Sequence, residues 1–279
     1  MQMPPKIFDR ALIARHLARR TPDADDFVTR LVLGDLDERL ATLLRSFGKA
    51  LILGPDAEAL PSTGRTANAE FAFERVSTLA SDGELPKLPG AGYDLIVSIL
   101  DLQVVNDVPG YLSQLARQLA PDGLFLAAAL GGATLSELRE AFLVADSQLS
   151  GGAFARVAPF IQVRDGGGLL QRAGLALPVA DVETHVVRYA HPLTLMAEIK
   201  SLGAANPLFD RPRGLATPRL LALAAEAYAQ RDSDPDGRIR ATLEILWFSG
   251  WAPHASQQKP LAPGSARVSL KSVLEKPKS

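Results

Sequence analysis

Three stretches decide how this chain folds: Leu-Ile-Leu-Gly at 51–54, Tyr-Asp-Leu-Ile-Val-Ser at 93–98, and Ala-Pro-Asp-Gly-Leu-Phe-Leu at 120–126. Each contains a short apolar run of the length expected for a strand buried on both faces of a sheet. The amphipathic stretch 108–120 between the second and third runs predicts a helix. Strands that alternate with helices indicate an α/β fold with a mostly parallel sheet.

The apolar periodicity of the remaining chain predicts the other elements. Helices are expected at 6–19, 26–46, 134–149, 165–173, 193–202 and 217–231. Strands are expected at 182–189 and 242–251, with one or two more at 69–80. We therefore predict a helical segment at 1–48, an α/β domain at 49–255 with a helical insertion at about 191–232, and a polar, basic tail at 256–279.

Composition excludes several classes of function. The 279 residues carry a formal net charge of −1, so the chain as a whole offers no attraction to nucleic acid. The absence of cysteine rules out disulfides, thiolate metal sites and cysteine nucleophiles. The four histidines form no metal-binding motif, and no apolar run reaches the roughly 18 residues of a membrane span. We expect a cytoplasmic protein, or a mitochondrial matrix protein if the source is eukaryotic, without a metal.

The turn after the first predicted strand is unusual for an α/β protein that binds a nucleotide. A nucleotide pocket needs a glycine-rich turn there, because glycine lets the backbone approach a ligand closely. The chain instead has Gly54 followed by Pro-Asp-Ala-Glu at 55–58. Pro55 lacks an N–H donor, and Asp56 and Glu58 add negative charge.

Several further motifs carry a more specific resemblance. They are Ile-Phe-Asp-Arg at 7–10, Arg-Val-Ala-Pro-Phe at 156–160, Val-Arg-Asp at 163–165, Leu-Leu-Gln-Arg-Ala-Gly at 169–174, Tyr-Ala-His-Pro at 189–192, Asp-Pro-Asp-Gly-Arg-Ile at 234–239, Gly-Trp-Ala-Pro-His at 250–254, and Ser-Gln-Gln-Lys-Pro at 256–260. With them the chain resembles the class I S-adenosylmethionine (SAM)-dependent methyltransferases, in the biotin-synthesis-type (methyltransferase type 11) branch. That branch includes the mitochondrial complex I assembly factor that acts as an arginine hydroxylase.

The resemblance implies a Rossmann-like sheet of seven strands with the last antiparallel, and SAM across the carboxyl ends of the first strands. The positions that would hold SAM are Gly54, Asp82, Gly83, Ser98 and Leu100. Glu74 has the spacing of a ribose-binding acid, whereas Asp82 belongs to a fuller local motif for the adenine amino group. The interval 75–81 is too short for a parallel crossover, so only one of these two acids keeps its role and a strand or crossover helix is missing or rebuilt.

Other polar residues are candidates for contact with a substrate or partner. These are Asn106, Arg156, Arg164, His191, His254, Gln257 and Gln258. Local alternatives stand beside these roles: Asp107, Asp165 and His191 suit helix caps. The segment after the last strand is either a lid or partner contact, or a surface tail.

Two hypotheses for function follow. In the first, the protein is a SAM-dependent methyltransferase-family member that modifies a respiratory complex I subunit or assists its assembly, by methyl transfer or arginine hydroxylation. In the second, it is a pseudoenzyme that serves as a non-catalytic assembly scaffold. No residue is assigned as catalytic, and the predicted partner is a protein in both cases.

Overall fold

The protein is built on one sheet of seven strands. A computed structural model describes residues 6–79 and 88–258. The strands are β1 Ala50–Gly54, β2 Thr63–Arg65, β3 Glu70–Ser77, β4 Tyr93–Ile99, β5 Leu119–Leu130, β6 Ala176–Tyr189 and β7 Ile239–Trp251. Their spatial order is β2-β3-β1-β4-β5-β7-β6. Strands β3, β1, β4 and β5 are parallel, and β7 runs antiparallel between β5 and β6, which confirms the predicted methyltransferase-like fold.

Seven helices accompany the sheet in the described ranges. They are α1 Arg10–Leu17, α2 Phe27–Ala41, α3 Val108–Gln118, α4 Ser136–Ser150, α5 Val163–Arg172, α6 Pro192–Ser201 and α7 Pro218–Asp232. Helices α1 and α2 precede the sheet, and α6 and α7 lie between β6 and β7 along the chain. The Asp26 and Asp107 side chains accept backbone hydrogen bonds at the first turns of α2 and α3, so sequence decides where these helices begin.

Two apolar layers hold the helices to the sheet. On one face, Val32, Leu36 and Leu40 of α2 are fully buried against β1, β4 and β7. On the other face, α3 and α5 pack through Leu112, Leu115 and Leu170. Full burial of one such side chain contributes roughly 1.5–3 kcal/mol, so these layers fix the helices firmly.

The segment between β1 and β3 differs from the methyltransferase pattern, as the sequence predicts. Strand β2 pairs antiparallel with β3 and occupies the edge of the sheet, and no helix lies between β1 and β3. Gly64 in β2 approaches the rings of Phe71 and Phe73 so closely that an added Cβ would lie 2.6 and 2.8 Å from them. Strands β2 and β3 therefore form a local hairpin. Two parallel strands at this edge of the sheet would need a long crossover between them.

Two sequence expectations need correction. The tight turn expected at 121–123 lies inside β5, where Asp122 has φ of +64° and the pairing with β4 shifts register. Helix α5 begins at Val163, so Asp165 lies in the first turn and is not the N-cap. A carboxylate in the first turn still interacts favourably with the helix dipole, which accounts for an acid near this position.

Candidate functional site at the carboxyl edge of the sheet

A cavity of about 300 Å³ lies at the carboxyl ends of β1, β4 and β5. Helices α1, α2 and α6 enclose it, and its lining is mainly apolar. Representative lining residues are Ile13, Leu17, Phe27, Leu100, Leu130 and Leu195. Open α/β sheets bind ligands at this edge, at the point where the strand order reverses. Here that point lies between β1 and β4.

The chain is strained where β4 enters the cavity wall. Leu100 has φ of +50°, a left-handed conformation that is unfavourable for a bulky side chain. Its N–H donates to the Ala128 carbonyl at 2.9 Å, and its carbonyl accepts from Gln103 Nε2 at 2.7 Å. Ser98, two residues earlier, is completely buried inside the sheet. Of the two predicted cofactor residues in this segment, Leu100 therefore lines the cavity and Ser98 lies below its surface.

A buried ion pair closes the carboxyl ends of β3 and β4. The Arg10 guanidinium of α1 lies 3.6 Å from Asp101 Oδ1, and Arg10 Nη2 donates to the Thr78 carbonyl at 2.8 Å. The Thr78 hydroxyl donates to Asp101 Oδ1 at 2.7 Å. Burial raises the pKa of the Asp101 carboxyl, although Arg10 and Thr78 oppose the rise. Tyr111 lies beside the same carboxyl, and its pKa is raised by burial and then by Asp101.

The turn after β1 does not form a glycine cradle. An added Cβ on Gly54 would lie 2.7 Å from the Ile99 carbonyl, so this glycine serves the close packing of β1 on β4. The Gly54 carbonyl accepts from the Thr78 N–H at 2.9 Å. Asp56 accepts from Arg20 at 2.5 Å and from the Glu58 N–H at 3.1 Å. Within the described part of the chain, the Gly54 carbonyl and the Asp56 carboxylate thus both have protein partners.

Helix α1 separates the cavity from a second, more open groove. That groove has a volume of about 650 Å³ and runs beside the carboxyl ends of β1 and β3. Leu17, Arg20, Pro55 and Asp56 line both spaces. The Arg20–Asp56 ion pair therefore forms part of the wall between them.

Glu74 and Asp82 are the two acids that were predicted to contact the nucleoside of SAM, and the structure describes only Glu74. Glu74 does not close its strand, because β3 continues to Ser77. Its side chain accepts a hydrogen bond of 2.7 Å from Tyr93, at the start of β4. Glu74 thus lies away from the carboxyl edge, and the expectation that it closes the second strand of the parallel sheet is wrong. Asp82 and Gly83 lie outside the described residues.

Asn106 and Asp107 organise the chain next to the cavity. Asn106 Oδ1 accepts from the Ile7 and Phe8 N–H groups at 2.6 and 2.7 Å, and Nδ2 donates to the Phe8 carbonyl at 3.2 Å. Asp107 caps α3 by accepting from the Gly110 N–H at 2.9 Å, as the alternative interpretation predicted. Asn106 therefore ties the segment before α1 to the end of β4.

The two arginines expected to face a partner are placed differently. Arg156 makes two hydrogen bonds of 2.7 Å to the buried carboxylate of Asp146, so its guanidinium is used inside the protein. Arg164 is exposed in the first turn of α5. His191 is the N-cap of α6, where its Nδ1 accepts from the Leu193 N–H at 3.2 Å. The cap interpretation of His191 is confirmed.

The segment after β7 lies at the opposite edge of the sheet. Because β7 is antiparallel, its last residue Trp251 pairs with Leu124 near the start of β5. Gln257 Nε2 donates to Asp122 Oδ1 and to the Ala252 carbonyl, both at 2.8 Å. His254 contacts the Ser256 hydroxyl at 2.8 Å, and Gln258 is exposed. The described part of this segment, up to Gln258, therefore does not cover the carboxyl-edge cavity, which contradicts the lid interpretation and leaves a partner contact or a surface tail.

Sequence reasoning missed the residues that shape the site most. Arg10 and Thr78 were not assigned a role there, although Arg10 belongs to one of the motifs that carry the resemblance. Asp101 offered a signal, since an acid directly after a buried strand stands at the ligand edge of an α/β sheet. Gln103 gave no signal, because its importance depends on the short 3₁₀ turn Leu102–Val104.

Comparisons with known proteins identify the family. The chain is 34% identical over 285 residues to the mitochondrial arginine-hydroxylase NDUFAF5 of Rattus norvegicus, a match that covers 95% of this chain and 82% of the rat protein. The chain belongs to this family. The match to the zebrafish protein of the same name is 38% identical and spans 64% of this chain but only 55% of the zebrafish protein.

The chain is also similar to a methyltransferase of another name. It is 35% identical over 231 residues to the malonyl-[acyl-carrier protein] O-methyltransferase of Halorhodospira halophila, covering 83% of this chain and 76% of that protein. No family model matches the chain. Among solved structures, the YcgJ protein of Bacillus subtilis covers 81% of this chain and 99% of its own at 13% identity, with a TM-score of 0.47. That likeness carries no argument about function.

The described ranges contain neither a metal-binding cluster nor a membrane-spanning helix. In residues 6–79 and 88–258, no group of three or more histidine, aspartate or glutamate side chains is arranged to hold a metal ion. No helix in the same part of the chain is long and apolar enough to cross a membrane.

Proposed function

We propose that this protein assists the assembly of a respiratory complex I subunit by binding an apolar part of that subunit in the carboxyl-edge cavity. Membership in the NDUFAF5 family supports the choice of partner. The observation that carries the proposal is the cavity of about 300 Å³, which is lined mainly by apolar side chains and lies where this fold binds ligands. The protein would act in the bacterial cytoplasm, or in the mitochondrial matrix of a eukaryote.

The pairing of the surrounding polar groups favours binding over chemistry. Arg10, Asp101 and Thr78 satisfy one another at the ends of β3 and β4. Arg20 and Asp56 do the same beside β1. A base or nucleophile has to reach its substrate, whereas these groups are bonded to one another. The proposal therefore assigns no catalytic residue.

Loss of assembly in cells tests this function. We would delete the gene in its source organism and measure assembled complex I on native gels. Expression of the unaltered protein should restore the complex, whereas Leu130→Trp, which fills the cavity from the end of β5, should not. Leu177→Trp is the matched control, because Leu177 is half exposed on β6 and far from the cavity lining. Normal complex I after deletion, or restoration by both variants, would contradict the proposal.

A second candidate is modification of the same partner by methyl transfer or arginine hydroxylation. Family membership favours it, since the rat relative is named an arginine-hydroxylase and the Halorhodospira relative an O-methyltransferase. Calorimetric titration of the purified protein with SAM separates the candidates. Micromolar binding, with a matching rise in thermal stability, would favour modification. If no heat of binding is detected at millimolar SAM, the result would favour the assembly function over methyl transfer.

A further inference from the structure

Gln103, in the lining of the apolar cavity, carries a hydrogen-bond acceptor that no described residue satisfies. The residue is only 9% exposed. Its Nε2 donates to the Leu100 carbonyl at 2.7 Å, while its Oε1 has no partner among the described residues. The orientation of the amide is fixed, because a carbonyl only accepts and the reverse orientation would bring two acceptors together.

An unsatisfied buried acceptor calls for a ligand with a donor. Burying a polar atom without a hydrogen bond costs free energy, so most such atoms in proteins have a partner. The same turn holds Leu100 in its left-handed conformation, a second local cost. The unsatisfied acceptor of Gln103 and the left-handed backbone of Leu100 both lie in the lining of one cavity. Unfavourable features of this kind often cluster at binding sites.

Size and polarity narrow the class of ligand. An engineered cavity of about 150 Å³ lined by aliphatic and aromatic groups binds benzene, so a cavity of about 300 Å³ has room for a two-ring aromatic group. The three carboxylates that line the cavity all accept hydrogen bonds: Asp26 from Thr29, Asp56 from Arg20 at 2.5 Å, and Glu198 from Tyr189 at 2.8 Å. A charged donor such as ammonium would lose its hydration on entering a mainly apolar space, which favours a neutral donor.

We propose that the cavity takes an indole ring, whose N–H donates to Gln103 Oε1. Indole fits these requirements because it is flat, apolar and a donor only. The source that we assign is a tryptophan side chain of the protein partner, and this assignment rests on the proposed function. Gln103 is then the residue that selects indole over aromatic groups without a donor.

A pair of small ligands tests the proposal on the intact protein. We would titrate it with indole and with 1-methylindole, and follow binding by calorimetry and thermal unfolding. The two ligands share a ring, but methylation removes the donor. Indole should bind about fivefold more tightly, the ratio expected for one net hydrogen bond. Equal affinities, or no binding of either ligand, would overturn the proposal.

A variant of Gln103 tests whether this residue causes the preference for indole over 1-methylindole. Gln103→Met keeps the length of the side chain and removes the amide, so it should bind the two ligands equally. If this variant does not fold, the comparison of ligands on the unaltered protein still decides. A preference for indole that persists in folded Gln103→Met would overturn the role of Gln103.

The test is independent of complex I. Selective indole binding by a protein whose deletion leaves complex I intact would refute the proposed function and retain the indole site. Failure of indole to bind, with complex I lost on deletion, would retain the function and refute the inference.

Discussion

Replacement of Arg10 by methionine should strongly destabilise the protein. The substitution keeps an unbranched side chain but leaves the Asp101 carboxylate, which is 0% exposed, without its cation. At 3.6 Å and an effective dielectric constant of about 20, the lost attraction amounts to about 4–5 kcal/mol. Loss of one partner of a buried ion pair typically costs about 3–5 kcal/mol, which agrees in size.

The pH dependence of this loss follows from Asp101. Burial holds the pKa of its carboxyl above the ordinary value of 3.8 in the folded protein. The folded state therefore binds the proton more tightly than the unfolded state, and stability falls as pH rises through the window above 3.8. Removal of Arg10 should raise the pKa of Asp101 further. The penalty of Arg10→Met should be small in acid, where Asp101 is neutral with or without Arg10, and should grow as the pH rises.

Urea unfolding at several pH values measures these effects. Arg10→Met combined with Asp101→Asn should recover more than half of the loss, because asparagine keeps an acceptor for Thr78 and carries no charge. Arg19→Met is the control, since Arg19 is exposed just beyond α1 and its replacement should change stability by no more than about 0.5 kcal/mol. A loss below about 1 kcal/mol for Arg10→Met, or a double variant no more stable than the single one, would refute the reasoning.

Two further predictions concern the turn after β1 and the segment after β7. Gly54→Ala should destabilise the protein by about 1–3 kcal/mol in urea unfolding, because the new Cβ would lie 2.7 Å from the Ile99 carbonyl. Gly167→Ala, in an open part of α5, should instead stabilise by about 0.5–1 kcal/mol, and equal effects would contradict the packing argument. Gln257→Leu should raise the pKa of Asp122, which the Gln257 hydrogen bond lowers first of all, and an unchanged carboxyl titration by NMR would disprove that link. Since a lowered carboxyl pKa stabilises the folded state above the unfolded value, the variant should lose stability at neutral pH and not in acid.

The sheet could be predicted because several of its strands appear in the sequence as short apolar runs. The runs at 51–54 and 94–100 are buried on both faces, and the spacing of helices between strands leaves few arrangements. Even the rebuilt segment could be anticipated, because too few residues separate Glu74 from Asp82 for a parallel crossover. Local chain length and burial pattern were sufficient for these features.

The site could not be predicted to the same degree, because it depends on contacts between distant residues. Arg10 and Asp101 are far apart in sequence, and nothing local shows that α1 crosses the carboxyl ends of β3 and β4. His254 and Gln257 follow the last strand and were candidates for a lid or a partner contact, with a surface tail as the alternative. The antiparallel direction of β7 takes them to the other edge of the sheet. The resemblance already implied an antiparallel last strand, so this part of the placement could have been anticipated.

The way α1 is attached has a consequence for hydrogen exchange. None of its side chains is fully buried, and polar contacts such as Arg10 with Thr78 and Arg20 with Asp56 hold it. In contrast to Arg10→Met, which leaves Asp101 buried without its cation, an opening of α1 admits water to both ions. These contacts are then exchanged for contacts with water, so α1 should open in a local step below the free energy of global unfolding. Its amides should then exchange much faster than those of β4. Each such opening would expose the cavity to solvent while the sheet stays folded, which gives a ligand a route inward.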